Sequence, residues 1–400
     1  MPYASSMMTT LRLAAGMLFT AIMVCSAFFA LPLAAGAAPA EDKPLPVCYR
    51  CHKKQMDGKN VHPVVKTKGC IACHTNPHSA KHKATKFLPA TGTELCFLCH
   101  DKAKFTKKIQ HPPVAAGDCQ SCHEVHVSEN SKLLTAKMPD LCFNCHDKAK
   151  FENKSTHPPV AAGECISCHD PHSSDTEKLL IADTPELCYT CHDKKKFRGK
   201  KRRHLPVRYG YCASCHNPHA SPYAKLLIEE PPALCFNCHD EDNFKGKKVI
   251  HSPVEGGLCG SCHAPHQSSF KRLLLSKRPN LCFGCHDDKM FSQRNIHPPV
   301  ERGRCNACHS PHASNMKALL PKEVNALCHK CHKKIGPSHI SAGISRKGHP
   351  VRTDRERLVD GKRIKLSCIS CHDPHSTNTI KLFKFPVKSA MELCINCHKK

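Results

Sequence analysis

The pattern Cys-x-x-Cys-His occurs fifteen times between Cys48 and His398 and takes up every cysteine except Cys25. From 31 Cys and 32 His in 400 residues, roughly 0.2 such motifs would arise by chance. Two thiols at this spacing can add to the two vinyl groups of one haem, and the histidine beside the second thiol is then placed to ligate the iron. Structural zinc and disulfide scaffolds also use dense cysteine, but neither demands a histidine after the second cysteine in every copy. A thioredoxin-like site would be one reactive pair on a βαβ framework, not a serial array. The expectation is a chain that carries fifteen covalently attached haem c groups.

The predicted thioether positions are Cys48 and Cys51, Cys70 and Cys73, Cys96 and Cys99, Cys119 and Cys122, Cys142 and Cys145, Cys165 and Cys168, Cys188 and Cys191, and Cys212 and Cys215. The series continues with Cys235 and Cys238, Cys259 and Cys262, Cys282 and Cys285, Cys305 and Cys308, Cys328 and Cys331, Cys368 and Cys371, and Cys394 and Cys397. The predicted proximal ligands are His52, His74, His100, His123, His146, His169, His192, His216, His239, His263, His286, His309, His332, His372 and His398.

Residues 1–40 read as a secretory signal: Arg12 is the only charge, an apolar run extends from Leu13 to about Leu33, and Ala38-Pro39-Ala40 offers a small-residue cleavage site. A retained membrane anchor is the competing reading of the same stretch. Val24 is bulky where a lipidation site at Cys25 wants a small residue. No other stretch is apolar enough to span, so no membrane span is expected after cleavage. Export suits the chemistry, because paired thiols in an oxidising compartment would otherwise form disulfides. The destination expected is the periplasm or outer surface of a Gram-negative-type bacterium.

The formal charge of +27 would ordinarily suggest nucleic acid. Two propionates per haem supply about thirty negative charges, and the iron porphyrin returns roughly one positive charge per ferric site. The lysines are then largely counterions to the cofactors. With no Trp, 6 Tyr and 16 Phe, and no nucleic-acid module, DNA or RNA binding is not expected.

Two kinds of motif alternate, so the true period is twice the motif spacing. One lies between an upstream and a downstream histidine, as in His157-Pro-Pro-Val160 through Gly163 and Cys165 to His172; seven motifs are of this kind. The other follows an apolar pair and a proline-led or acidic turn, as in Lys178-Leu179-Leu180 and then Pro185-Glu186-Leu187-Cys188; these number eight and occupy both ends. Pro-Glu-Leu-Cys predicts a short helix start, and His-Pro-Pro-Val an extended or turn segment. Phe105, Phe151, Phe197, Phe244 and Phe291 recur nine residues after a first cysteine and are expected against a haem edge rather than a neighbouring chain segment. Little ordinary core is available, so the fold class expected is haem-cored and largely irregular, with short α-helices in an elongated repeat array. Little β-structure is expected apart from a hairpin near 357–365, about Asp360-Gly361. The divisions expected are the signal at 1–40, an array carrying haems 1–13 at 41–335, and an insertion with the last haem pair at 336–400.

Seventeen histidines lie outside the motif positions above, and fourteen keep register. His62, His111, His157, His204, His251 and His297 precede a motif by eight residues, an extended reach of about 28 Å, His349 stands in a variant of the same context, and all seven are expected to supply the distal ligand of the haem that follows each. His78, His126, His172, His219, His266, His312 and His375 follow a motif by three or four residues, too short to wrap round their own haem, and are expected to ligate a neighbour of the other kind. For the fifteenth place His82 is favoured over His339 and over His329, which lies inside a motif. Met56, Met138, Met290, Met316 and Met391 keep no register with the array. Bis-histidine ligation is therefore expected throughout.

The alternation of Gly-x-Cys-x-x-Cys-His-x-Pro-His with Leu-Cys-x-x-Cys-His resembles the doubled CxxCH family of multihaem cytochromes c, and the upstream histidine is similar to that of the tetrahaem class III cytochromes. The resemblance covers residues 45–400. It implies low-potential bis-histidine haems in closely spaced chains that carry electrons in the periplasm or across the outer surface of anaerobic, often metal- or sulfate-reducing bacteria. Departures are small: His204-Leu205-Pro206, His251-Ser252-Pro253, Val125 before His126, and one extra residue before His78. The reading is an electron conduit and not an enzyme, with redox proteins as partners: donor and acceptor cytochromes or an outer-membrane conduit. A reductase of nitrite, hydroxylamine or a sulfur oxyanion is the first alternative, against which every motif keeps its histidine. A conductive filament of end-to-end protomers is the second, suggested by haem motifs near both ends of the chain.

Overall fold

The computed structural model describes residues 47–75, 88–335, 357–359, 362–389 and 391–396. The predicted signal segment and His78, His82, His339, His349, Cys397 and His398 lie outside them. Contacts divide the chain into a leading unit, residues 1–55, and a second unit, residues 56–400. In the leading unit the first motif sits on a three-ten turn, Val47–Arg50, followed by a second turn at Lys53–Gln55.

The second unit is a repeat array of short helices, three-ten turns and two-stranded ladders. Its repeats are numbered 1 to 7 here from His62, His111, His157, His204, His251, His297 and His349. Repeat 3 stands for the rest. His157 is extended (φ −64°, ψ 131°) and N-caps the helix Pro158–Ala161. Proline is tolerated there because the first helical N–H groups have no internal acceptor. The sequence led to an extended or turn segment at His-Pro-Pro-Val, and only the histidine itself is extended. Gly163, at φ +74°, then turns the chain into the three-ten helix Cys165–Ser167 that opens the first motif. A two-residue strand, Ser173–Ser174, and a tight turn at Glu177–Leu179 lead to the helix Glu186–Tyr189, which carries Cys188 of the second motif after Pro185, as the sequence indicated. The next turn is fixed by an aspartate after the motif histidine, as where Asp147 Oδ1 accepts from Ala149 N at 3.0 Å.

Consecutive repeats interlock through their backbones. The strand before each upstream histidine pairs antiparallel with the strand after the downstream histidine of the next repeat, as in Ser155–Thr156 with Ala220–Ser221. The same ladder joins 109–110 to 173–174, 202–203 to 267–268, 249–250 to 313–314 and 295–296 to 376–377. It extends into a direct bond between the histidines: His111 N to His172 O, His157 N to His219 O, His204 N to His266 O, His251 N to His312 O and His297 N to His375 O, all 2.9–3.0 Å.

A second contact joins neighbouring repeats. A Cβ on Gly210 would lie 2.5 Å from Pro185 Cδ, and one on Gly163, Gly257 or Gly303 would lie 2.6–2.8 Å from Cδ of Pro139, Pro232 or Pro279. Each of these four glycines is therefore needed twice, for its positive φ and for the proline seated where a side chain would be.

Side chains supply little core. Among the described residues the one cluster of buried apolar side chains is Phe383, Val387 and Leu393, with Phe385 and Cys371 packed against it. The hairpin of the insertion forms as expected, Arg357–Val359 pairing with Lys362–Ile364. No described helix is long and apolar enough to cross a membrane.

Candidate haem-binding sites

Each fully described motif closes one helical turn. His169 N bonds to Cys165 O at 3.1 Å and His192 N to Cys188 O at 2.9 Å. Positions i, i+3 and i+4 share a helix face, so two sulfurs and an imidazole project to one side, as a covalently held porphyrin with an iron ligand requires. The thiols here stand in for the thioether sulfurs.

Among the described residues, twelve pairs of imidazoles face one another with ring centres 5.9–6.2 Å apart. Two nitrogens about 2.0 Å from one metal, with about 1.1 Å more to each ring centre, give a separation of about 6 Å. The spacing fits one iron between two histidines. Among the described residues, no three or more His, Cys, Asp or Glu side chains converge on a point that could hold a bare ion, so the arrangement suits a group that brings its own equatorial ligands.

The pairing differs from the sequence expectation in both sets. Each described upstream histidine faces the second motif of its own repeat, not the first: His62 with His100, His111 with His146, His157 with His192, His204 with His239, His251 with His286 and His297 with His332. Each described downstream histidine faces the first motif of the preceding repeat, which is of the same kind as its own: His126 with His74, His172 with His123, His219 with His169, His266 with His216, His312 with His263 and His375 with His309. The estimate of reach assumed extended chain, whereas the helix after each upstream histidine advances only about 1.5 Å per residue. The interlocking ladder then carries the downstream histidine back by one repeat.

The other ring nitrogen is held as well. In the first motifs Nδ1 lies 2.7–3.0 Å from a carbonyl nine residues on: His123 to Lys132, His169 to Lys178, His216 to Lys225, His263 to Arg272, His309 to Ala318 and His372 to Lys381. Each carbonyl belongs to a residue at φ 53–59°. That left-handed conformation costs a non-glycine residue about 1–2 kcal/mol. In the upstream set, Nδ1 of His111, His157, His251 and His297 meets the carbonyl of Pro171, Pro218, Pro311 and Pro374 at 2.9–3.0 Å. An Nδ1–H donated to a carbonyl leaves Nε2 as the metal-binding nitrogen and fixes the ring. The first repeat departs where Val125 replaces proline: His62 Nδ1 instead accepts from Val64 N at 3.3 Å.

Burial holds the imidazoles of His126, His219, His266 and His312 below their ordinary range, reinforced by His74, His169, His216 and His263 respectively. Burial likewise lowers His172 and His375, against the opposing charges of Asp170 and Asp373. A neutral imidazole is the form that binds a metal.

Phe105, Phe151, Phe197, Phe244 and Phe291 lie 4.7–5.2 Å from the rings of His172, His219, His266, His312 and His375. Each recurrent phenylalanine thus backs a downstream histidine from two repeats away. Sequence reasoning missed the serine two residues after that histidine. Ser174, Ser221, Ser268 and Ser314 are buried, donate Oγ to the carbonyl of Leu180, Leu227, Leu274 and Leu320, and accept the backbone N–H two residues on. The signal was present as His-x-Ser in these four copies and after His126, with Thr377 in the corresponding place after His375.

The glycine–proline contact brings successive motifs together. Hydrogen bonding to Cys212 first, and burial second, push the Cys188 thiol upward, and the same bond pulls Cys212 down to about 6. Cys282 with Cys305 and Cys328 with Cys368 behave alike. Thioether sulfurs carry no proton, so what persists on attachment is the placement. The second motif of one repeat lies against the first motif of the next.

The family described as Doubled CXXCH motif matches residues 62–105, 111–151, 157–197, 204–244, 251–291, 297–336 and 362–400. The chain belongs to this family. It is a multihaem c-type cytochrome for electron transfer. No curated protein matches the chain. The seven matched segments account for the motifs from Cys70 onward, and the motif at Cys48 precedes them.

Proposed function

We propose that this cytochrome is an exported electron relay whose fifteen motifs each bind haem c and whose irons are held between two histidines. The imidazole pairs at 5.9–6.2 Å carry the reading, because they recur along the array and because Nδ1 of their first-motif and upstream members meets backbone carbonyls. Bound haem supplies one-electron exchange at iron. The chain's own residues set the order: attachment cysteines of successive motifs are neighbours, which supports a path that follows the sequence. A proximal histidine in every motif and a second imidazole in each pair favour transfer over a reductase, which needs an open iron position. Donor and acceptor would be redox proteins met in the periplasm or at the outer surface.

The test is the purified mature protein. Fifteen haem additions by mass, with optical and EPR spectra of low-spin bis-histidine iron and reversible reduction, are expected. A majority of high-spin sites, or steady turnover of nitrite, hydroxylamine or tetrathionate, would overturn the reading.

A further inference from the structure

Lys201, Arg202, Arg203 and Arg208 around the start of repeat 4, with Arg272 and Leu273 of repeat 5, line a single cleft of about 480 Å³. The ladder builds it. Arg202 pairs with Ser268 and Arg203 with Gln267, the turn Lys271–Leu273 follows, and the helix Leu205–Tyr209 brings Arg208 to the same side. No carboxylate lines the cleft. Cations gathered without a side-chain counter-charge repel one another, so the arrangement favours an anionic group beside them.

Comparison between repeats separates two kinds of cation. Lys201 corresponds to Lys108, Lys154 and Lys248, and Arg272 to Lys132, Lys178 and Lys225. Charges that recur with the repeat match the propionates that recur with it. Arg202, Arg203 and Arg208 do not recur: repeat 3 has Ser155, Thr156 and Ala161 in their places, and repeat 5 has Val249, Ile250 and Glu255. Their charge exceeds what the cofactors of one repeat call for.

The flank is also peculiar to repeat 4. Leu205, Tyr209 and Tyr211 are 59–62% exposed, the two tyrosine rings stack at 5.9 Å, and the Arg208 guanidinium lies 6.0 Å from the centre of the Tyr209 ring. Tyr211 stands where repeats 2, 3, 5 and 6 have Asp118, Glu164, Leu258 and Arg304, and Tyr209 where they have Ala116, Ala162, Gly256 and Arg302, so the tyrosine pair belongs to repeat 4 alone among them. These are water-facing positions. Exposed tyrosines beside arginines are what protein interfaces enrich, whereas a small anion would need the cations alone.

We propose that this surface docks a carboxylate-rich face of a partner protein, which exchanges electrons with the array at repeats 4 and 5. The exchange rests on the relay reading above; the docking does not.

The full-length haem-loaded protein is titrated with a short poly-L-glutamate by calorimetry. Arg202→Ser, Arg203→Thr and Arg208→Ala together install side chains that repeat 3 already carries, and are expected to weaken binding about tenfold or more. Lys104→Gln, Lys150→Gln and Lys289→Gln together remove equal charge elsewhere and are expected to change it less than about twofold. Equal loss in both variants would overturn the site. So would inorganic tripolyphosphate binding the native protein as tightly as the peptide does, which would make the cleft a small-anion site. Haem spectra identical to the native protein's check that the variants fold. Reversible haem reduction is expected in native protein and variants alike; its absence overturns the electron exchange and leaves the docking face standing.

Discussion

His157 donates its backbone N–H to the carbonyl of His219 at 2.9 Å, yet the two imidazoles face different partners, His192 at 6.1 Å and His169 at 5.9 Å. One ladder step therefore orients a histidine toward each of the two motifs of repeat 3. The partner for the second motif comes from the same repeat, and that for the first comes from repeat 4. No repeat can complete its first pair alone.

His157→Ala is expected to convert one site, that on Cys188 and Cys191, to high spin in EPR and optical spectra. Adding Cys188→Ser and Cys191→Ser, which remove that haem, should abolish the new signal. If the signal survives their removal, His157 serves a different iron.

Gly210→Ala and Gly246→Ala both place a side chain at positive φ, +81° and +73°. Only the first meets an obstacle, Pro185 Cδ at 2.5 Å, while nothing lies within 4 Å of the second. Gly246→Ala should cost about 1 kcal/mol from backbone strain. Gly210→Ala should cost about 1–3 kcal/mol more from overpacking. Hydrogen exchange is the suitable measurement, because a repeat array need not unfold in one step. Equal losses would mean that the proline contact does not hold successive repeats together.

Lys178, at φ 59°, aims its carbonyl at His169 Nδ1, 2.9 Å away. Lys178→Gly keeps that geometry and should leave the haem potential unchanged, with stability altered by no more than about 1 kcal/mol. Lys178→Pro clamps φ near −65° and turns the carbonyl away, so the imidazole becomes a weaker donor and the potential of that haem should rise. Spectroelectrochemistry reads both. An unshifted potential in the proline variant would show that the carbonyl positions the ring without tuning it.

Much of the site was legible because its chemistry is local. The cysteines and proximal histidine of a motif sit within one helical turn, and the helix at Pro185-Glu186-Leu187 and the hairpin strands 357–359 and 362–364 follow from short-range preferences. Ser221 was passed over because a serine in a loop carries no signal until its burial and its bond to Leu227 are known. Phe151 was expected against a haem edge because the sequence does not reveal that His219 comes back from two repeats ahead to meet it.

The sequence by itself determined where the Cys-x-x-Cys-His motifs stand, that two kinds of motif alternate, and which histidines keep register with them, since each depends on residues a few positions apart. Tertiary structure decided which histidine faces which. Chain length only bounds reach, and both eight residues from His157 to the first motif and a path through a helix and a glycine turn to the second satisfy that bound. The choice was made by hydrogen bonds between strands of neighbouring repeats, whose two-residue segments Ser155–Thr156 and Ala220–Ser221 carry almost no pattern of their own.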